Sequence, residues 1–168
     1  HHRERNRIEV IRLSALLFCP DERSAAQLER EGAPGRREVV GDVMADATRL
    51  FEPIARRREL PYARPYTVLT IHRQSNTEPE RLRAIVDALN ATERHFVFPV
   101  HPRTRLALAA NGLQLAANVE AVEPLGYLEM LALVANAEAV ATDSGGLQKE
   151  AYWLRIPCVT LRKNTEWV

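Results

Sequence analysis

The chain has 168 residues, of which 46% are hydrophobic and 27% are charged, as is usual for a water-soluble globular protein. Its 23 basic and 22 acidic residues leave a formal net charge of +1, so nothing in the charge favours nucleic acid or an anionic membrane as a partner. No apolar run approaches the roughly 20 residues that cross a bilayer. We therefore expect a cytoplasmic protein with no membrane contact.

The two cysteines, Cys19 and Cys158, are far apart and form no CxxC pair. This usage is typical of free, inert thiols rather than of a disulfide framework. The sequence has no HxxxH motif or other Cys/His spacing of a transition-metal site. It also lacks GxxxxGK[ST] and GxGxxG, so we expect no metal, no P-loop and no dinucleotide fingerprint.

The first 66 residues contain helical and extended patterns ahead of a Pro-Tyr-rich stretch. In chain order the patterns predict a helix over 3–14, a strand over 15–20, a helix over 21–32, a strand over 37–42 and a helix over 42–60. Pro53 is expected to break the last of these helices. The stretch "PYARPY" at 61–66 is the best candidate for a linker.

From residue 67 onward, short apolar strands alternate with longer helical patterns. The predicted strands cover 67–72, 95–101, 119–122, 138–144 and 157–162, and the predicted helices cover 78–90, 102–112, 126–137 and 145–155. Thr77 and Glu80 have the spacing of a capping box at the first of these helices. The alternation predicts an α/β fold, with a parallel sheet and helices on both of its faces.

Four polar clusters each lie at the carboxyl end of a predicted strand. They are His72-Arg73, His101, Asp143 to Gly146, and Arg162 to Glu166. Because the carboxyl ends of parallel strands share one edge, and ligands bind there in such sheets, we expect these clusters to line one site.

The segment "TDSGGLQKEA" passes from a strand through Ser144, Gly145 and Gly146 into a helix. Free N–H groups and the helix dipole make a helix N-terminus suited to a phosphate, and two glycines let the phosphate approach. The alternative is an ordinary turn with a serine cap, and the spacing alone does not separate the two. Glu150 lies one turn further along the helix, where a carboxylate can bind the two hydroxyls of a ribose; otherwise it is a solvated surface group.

Two other residues, His72 and Met130, have two interpretations each. His72 can act as an acid, a base or a phosphate donor, or it can be a structural hydrogen-bonding group. Arg73 beside it is suited to a phosphate. Met130 is expected to pack in the core, or else to offer a surface for a nucleotide base.

Five motifs occur in one order and at one set of spacings: "HRQSNT", "PVHPRT", "EPLGYLEML", "TDSGGLQKEA" and "LRKNTEW". Together they resemble the non-hydrolysing UDP-N-acetylglucosamine 2-epimerases, and the upstream pieces "LLFCPDE" and "VVGDVMADA" are similar to the same family. The resemblance implies the GT-B architecture, in which two Rossmann-like domains hold a nucleotide sugar between them. It assigns 1–44 to the tail of the first domain, 45–64 to the interdomain helix and linker, and 65–168 to a truncated, UDP-binding second domain.

The resemblance also implies the reaction and the roles of residues. The family inverts C2 of a UDP-N-acetylhexosamine by eliminating and re-adding UDP, without a cofactor, and its members are commonly homodimers. His72 matches the family's active-site histidine near the diphosphate. Ser144, Gly145 and Gly146 match its phosphate-binding turn, Glu150 the ribose carboxylate, and His101 a histidine that contacts the substrate or a regulatory UDP-sugar.

The family's acidic residues for proton transfer at C2 lie in the part of the first domain that this sequence does not contain, so we expect the fragment alone to be inactive. Met130 stands where some members have an aromatic residue, and Trp167 stands where some have an arginine. The tryptophan can mark a subfamily that acts on another UDP-sugar, such as a diacetamido uronate. Two alternatives stay open: a GT-B glycosyltransferase with a UDP-sugar donor, and a non-catalytic UDP-binding fragment.

Overall fold

The computed structural model describes the backbone of residues 2–162 and the side chains of residues 5–162. The chain divides into two compact units between Asp46 and Ala47. The division falls near the predicted boundary at residue 44, while the assignment of either unit to a domain of a larger enzyme stays a prediction. Within residues 2–162, no helix combines the length and the apolar character needed to cross a membrane.

The first unit alternates helices and short strands. Its elements are α1 (His2–Leu13), β1 (Leu16–Cys19), α2 (Glu22–Arg30) and β2 (Arg36–Val39). The two strands pair in parallel, with Leu16 opposite Arg36. Helix α2 begins where the Asp21 carboxylate accepts the Ser24 N–H at 2.6 Å, and it ends before Gly32, whose φ of +68° is easy only for glycine.

Helix α3 (Val43–Arg57) runs through Pro53, so the predicted break at that residue is wrong. Proline removes one N–H from the helix, but contacts made by the following turn offset this loss. The Arg56 guanidinium donates to the carbonyls of Ala135 at 2.9 Å and Leu154 at 3.1 Å, and Ala55 is buried. Tertiary contacts therefore hold the last turn of α3 in helical form.

The second unit contains a five-stranded parallel sheet in the order β5-β4-β3-β6-β7. Its strands are β3 (Thr67–Thr70), β4 (Phe96–Pro99), β5 (Val119–Val122), β6 (Ala139–Thr142) and β7 (Cys158–Thr160). Its helices, besides α3, are a 3₁₀ helix (Gln74–Asn76), α4 (Pro79–Asn90), α5 (Pro102–Ala110), α6 (Tyr127–Ala135) and α7 (Gly145–Trp153).

Two apolar clusters cover the two faces of this sheet. Successive strand residues point to opposite faces, so Val68 packs with α3, α6 and α7, whereas Leu69 packs with α4 and α5. Both side chains are fully buried. The predicted α/β class, a parallel sheet with helices on both faces, is confirmed.

Helix α4 does not begin with the predicted capping box. Pro79 occupies its first position and Glu78 is the N-cap, with no side-chain capping bond. The Thr77 hydroxyl instead donates to the Gln74 carbonyl at 2.9 Å, which closes the 3₁₀ helix. The fixed φ of Pro79 starts the helix two residues beyond the predicted cap.

Both cysteines are free thiols, as expected. Cys19 is buried at the end of β1, whereas Cys158 is exposed at the start of β7.

Candidate functional site

The carboxyl ends of β3, β4, β6 and β7 meet at one edge of the sheet. This edge brings together His72 and Arg73 after β3, His101 after β4, and Asp143 to Gly146 after β6. Arg162 follows β7. Residues 163–166 of the fourth predicted cluster, and Trp167, lie outside the described residues.

Asp143 is the centre of this edge and is fully buried. One carboxylate oxygen lies 2.7 Å from Nδ1 of His72. The backbone N–H of His72 donates to both oxygens at 3.1 Å, and that of Arg73 donates to one of them at 2.9 Å. The aspartate therefore holds both the backbone and the ring of the residue that follows β3.

Asn76 completes the surroundings of this carboxylate. Its side-chain amide donates to Asp143 at 3.0 Å and to the Leu161 carbonyl at 2.8 Å, and it is buried. It thus joins the loop after β3 to the residue after β7. Our sequence reasoning assigned no role to Asp143 or Asn76. The signal was present, because both belong to motifs that we singled out, but the contact between them spans 67 residues.

Burial would raise the pKa of Asp143, but its hydrogen bonds lower it overall. The contributing donors are the His72 ring, the Arg73 N–H, the Asn76 amide and the His72 N–H. Each of these bonds favours the charged form, and together they outweigh the desolvation penalty. Asp143 is therefore a buried carboxylate that stays ionised.

The N-terminus of α7 is the predicted anion-binding turn. The Ser144 hydroxyl caps the helix by accepting the Leu147 N–H at 3.3 Å. The first amides of a helix have no acceptor inside it, so Gly145 and Gly146 present free N–H groups, and both residues are partly exposed. The Ser144 N–H, in contrast, is not free, because it donates to the Thr142 hydroxyl at 2.9 Å. The turn offers two backbone donors and a serine hydroxyl.

Glu150 lies one turn beyond these glycines on α7 and is only 9% exposed. Within residues 5–162, its carboxylate has no hydrogen-bond or ion-pair partner. Burial without a partner disfavours the charged form and raises the pKa of this group. Glu150 is therefore not the solvated surface group of the alternative interpretation, and among the described residues no protein group competes with a ligand for its carboxylate.

This pKa shift predicts how Glu150 affects stability. A raised pKa in the folded chain contributes stability below the ordinary value of 4.5, and this contribution is lost as pH rises through the folded value. Glu150→Gln cannot ionise, so we expect it to be more stable than the wild type at pH 7.5 but not at pH 4. Urea unfolding without nucleotide at both pH values measures this. Glu138→Gln, an exposed control, should show no such gain, and equal stability of Glu150→Gln and wild type at pH 7.5 would contradict the prediction.

His101 is the N-cap of α5, where its Nδ1 accepts the Arg103 N–H at 3.2 Å. Its ring centroid lies 6.2 Å from that of His72. Arg103 in turn donates to the His72 carbonyl at 3.4 Å. Two imidazoles and the Arg103 guanidinium thus lie at the sheet edge that also carries the anion-binding turn.

Met130 lies in the first turn of α6, partly buried against the apolar cluster that contains Val68. This placement matches the core-packing interpretation, and a contact with a nucleotide base stays a prediction. Among the residues that the structure describes, no group of three His, Cys, Asp or Glu side chains is placed to hold a metal ion.

Comparison with known proteins gives consistent matches over almost the whole chain. The family model described as UDP-N-acetylglucosamine 2-epimerase matches residues 2–168. A UDP-2,3-diacetamido-2,3-dideoxy-D-glucuronate 2-epimerase of Pseudomonas aeruginosa is 41% identical, over 98% of this chain and 48% of its own length. A UDP-N-acetylglucosamine 2-epimerase of Methanococcus maripaludis is 39% identical, over 97% of this chain and 50% of its own.

Solved structures show the same similarity. The crystal structure of Methanocaldococcus jannaschii UDP-GlcNAc 2-epimerase in complex with UDP-GlcNAc and UDP matches with a TM-score of 0.82 at 37% identity, over 92% of this chain and 47% of that one. The Neisseria meningitidis enzyme bound to UDP-GlcNAc matches with a TM-score of 0.75 at 26% identity, over 92% of this chain and 46% of that one. The chain spans about half the length of the relatives it matches.

Proposed function

This chain belongs to the UDP-N-acetylglucosamine 2-epimerase family, and from that premise we propose that it forms the UDP-binding part of an epimerase. The reaction inverts C2 of a UDP-N-acetylhexosamine. The observation that carries this proposal is the placement, at one edge of a parallel sheet, of a helix N-terminus, a histidine–aspartate pair and a buried carboxylate that has no partner among the described residues.

The α7 turn supports the binding of a diphosphate. The N–H groups of Gly145 and Gly146 and the Ser144 hydroxyl can donate to phosphate oxygens, aided by the helix dipole. Arg73 and Arg103 bring positive charge to the same edge. A diphosphate held there would place its esterified ribose further along α7.

Glu150 supports the binding of that ribose. Its carboxylate accepts hydrogen bonds but cannot donate them, and a ribose offers two neighbouring hydroxyl donors. Burying an ionised group without a partner is costly, and two hydroxyl donors would reduce that cost. We propose that UDP supplies the partner that this side chain lacks.

His72 supports departure of the leaving group. In the proposed reaction a base removes the C2 proton, the C1–O bond breaks and UDP departs, which leaves a glycal. UDP then adds back to C1 while a proton enters C2 from the opposite face. His72 would donate from Nε2 to the departing β-phosphate and so stabilise the developing charge. The groups that move the C2 proton are assigned by family resemblance to the first domain.

The sugar and the assembly are further parts of the proposal. The Pseudomonas aeruginosa relative is named for a diacetamido uronate and the Methanococcus relative for UDP-N-acetylglucosamine. We propose UDP-N-acetylglucosamine as the substrate and the diacetamido uronate as the alternative. A cytoplasmic homodimer remains our expectation for the full-length protein.

Incubating the full-length protein with UDP-N-acetylglucosamine in heavy water tests the reaction. We expect a mixture of gluco and manno products with deuterium at C2, detected by proton NMR and mass spectrometry. The diacetamido uronate substrate is tested in parallel. Transfer of the sugar to an acceptor would instead indicate a glycosyltransferase, and binding of UDP without turnover would contradict the epimerase proposal.

A further inference from the structure

The rings of His72 and His101 lie side by side, with centroids 6.2 Å apart and planes inclined by 49°. In each ring, Nδ1 forms a hydrogen bond with another group of the protein. The partner of each Nδ1 decides which nitrogen carries the hydrogen when the imidazole is neutral.

The Nδ1 of His72 faces an acceptor. The Asp143 carboxylate at 2.7 Å is fully buried and already accepts from two backbone N–H groups and the Asn76 amide. These three donors favour the ionised form of the group, and an ionised carboxylate only accepts hydrogen bonds. Nδ1 of His72 must therefore carry a hydrogen. Because the His72 side chain is still 41% exposed, Nε2 is the nitrogen left for a ligand, and in the neutral ring it has only a lone pair.

The Nδ1 of His101 faces a donor. The Arg103 N–H belongs to the first turn of α5 and points at Nδ1 from 3.2 Å. A backbone N–H only donates, so Nδ1 of His101 must offer its lone pair. The neutral His101 ring consequently carries its hydrogen on Nε2, the reverse of His72.

We propose that the two histidines are held in opposite tautomers, with Asp143 as the positioning residue of His72 and the N-terminus of α5 setting His101. Neutral His101 then donates a hydrogen bond to a phosphate oxygen without gaining charge. Neutral His72 has only a lone pair at Nε2, so it can donate a hydrogen bond to that oxygen only after taking up a proton. The ring beside Asp143 is thus the one that changes protonation as a diphosphate leaves, whereas the ring at α5 is a fixed donor.

The tautomers follow from the fold alone, whereas their use on a diphosphate rests on the proposed function. Long-range proton–nitrogen NMR of full-length protein labelled with 15N-histidine observes the tautomers directly, independently of any turnover of a UDP-sugar. At a pH where both rings are neutral, we expect a hydrogen on Nδ1 of His72 and on Nε2 of His101, with signals assigned from His72→Gln and His101→Gln. A hydrogen on Nε2 of neutral His72, or the same tautomer in both rings, would overturn the proposal.

A double-mutant cycle tests the role of Asp143. We expect Asp143→Asn to lower kcat with little change in KM for the UDP-sugar, and to cause no further loss in a His72→Gln background. An equal loss in both backgrounds would show that Asp143 acts independently of His72 and would overturn its positioning role. If Asp143→Asn does not fold, the wild-type NMR spectrum still decides the tautomers. If the full-length protein turns over no UDP-sugar, the proposed function fails while the NMR result stands.

Discussion

Replacing His72 with glutamine in the full-length protein is expected to lower kcat about 10²- to 10⁴-fold, the usual range for a lost acid or base. Glutamine keeps the size and one polar atom but cannot carry a proton to a leaving phosphate. UDP affinity should change little, because the α7 turn and Glu150 supply most of the proposed contacts. Steady-state kinetics with UDP-N-acetylglucosamine, together with calorimetric titration of UDP, measure the two effects.

His95→Gln is the matched control. His95 precedes β4, at the opposite end of the strands, where its ring contacts the Ala63 carbonyl at 3.1 Å and Glu120 at 3.2 Å. Its replacement should leave kcat unchanged once the folded fraction is taken into account. If His72→Gln and His95→Gln have similar kcat values, His72 does not take part in the chemical step.

Replacing Glu150 with alanine is expected to weaken UDP binding about tenfold or more. A hydrogen bond to a charged group contributes about 1.5–3 kcal/mol, and 1.4 kcal/mol is a factor of ten in Kd. The free protein should not lose stability at neutral pH, since the substitution removes a buried carboxylate that has no partner in the described part of the chain. Calorimetric titration with UDP gives the change in Kd.

Two controls isolate the ribose contact. Glu138→Ala removes the same charge at the start of β6, at the far end of the strand, and should leave the Kd of UDP unchanged. Wild type and Glu150→Ala should bind 2′,3′-dideoxy-UDP with nearly equal affinities, because this ligand lacks the two hydroxyls that would contact Glu150. A Glu150→Ala variant that binds UDP as tightly as wild type would remove the ribose assignment.

Local patterns were sufficient to predict the strands and the helices α4 to α7 of the second unit, but not its 3₁₀ helix. Strand and helix periodicities differ clearly there, and glycines such as Gly112, with φ of +58°, end helices through their own conformational freedom. Pro53 was misjudged because the Arg56 contacts that hold the helix come from Ala135 and Leu154, about 80 and 100 residues away. Such contacts leave no trace in a local window.

The candidate site was likewise predictable where local patterns decide it and not where contacts between distant residues decide it. The strand-end rule placed His72, His101 and the α7 turn at one edge, and helical spacing placed Glu150 one turn below Gly146. The rule did not reveal that Asp143 faces inward to the His72 ring, because two adjacent strands must first be paired. Nor did it reveal that the Thr142 hydroxyl accepts the Ser144 N–H, since that depends on the orientation of one side chain.

The pairing of β3 with β6 also has a consequence for biosynthesis. His72 and Asp143 are 71 positions apart, and the strands that carry them are neighbours in the middle of the sheet. A ribosome must therefore synthesise β6 and the aspartate after it before the imidazole can meet its carboxylate, and the closure of this long loop has an entropic cost that local contacts do not have. A nascent chain that stalls before residue 143 would carry the histidine without the group that orients it. Formation of the histidine–aspartate contact therefore indicates that β3 and β6 have paired.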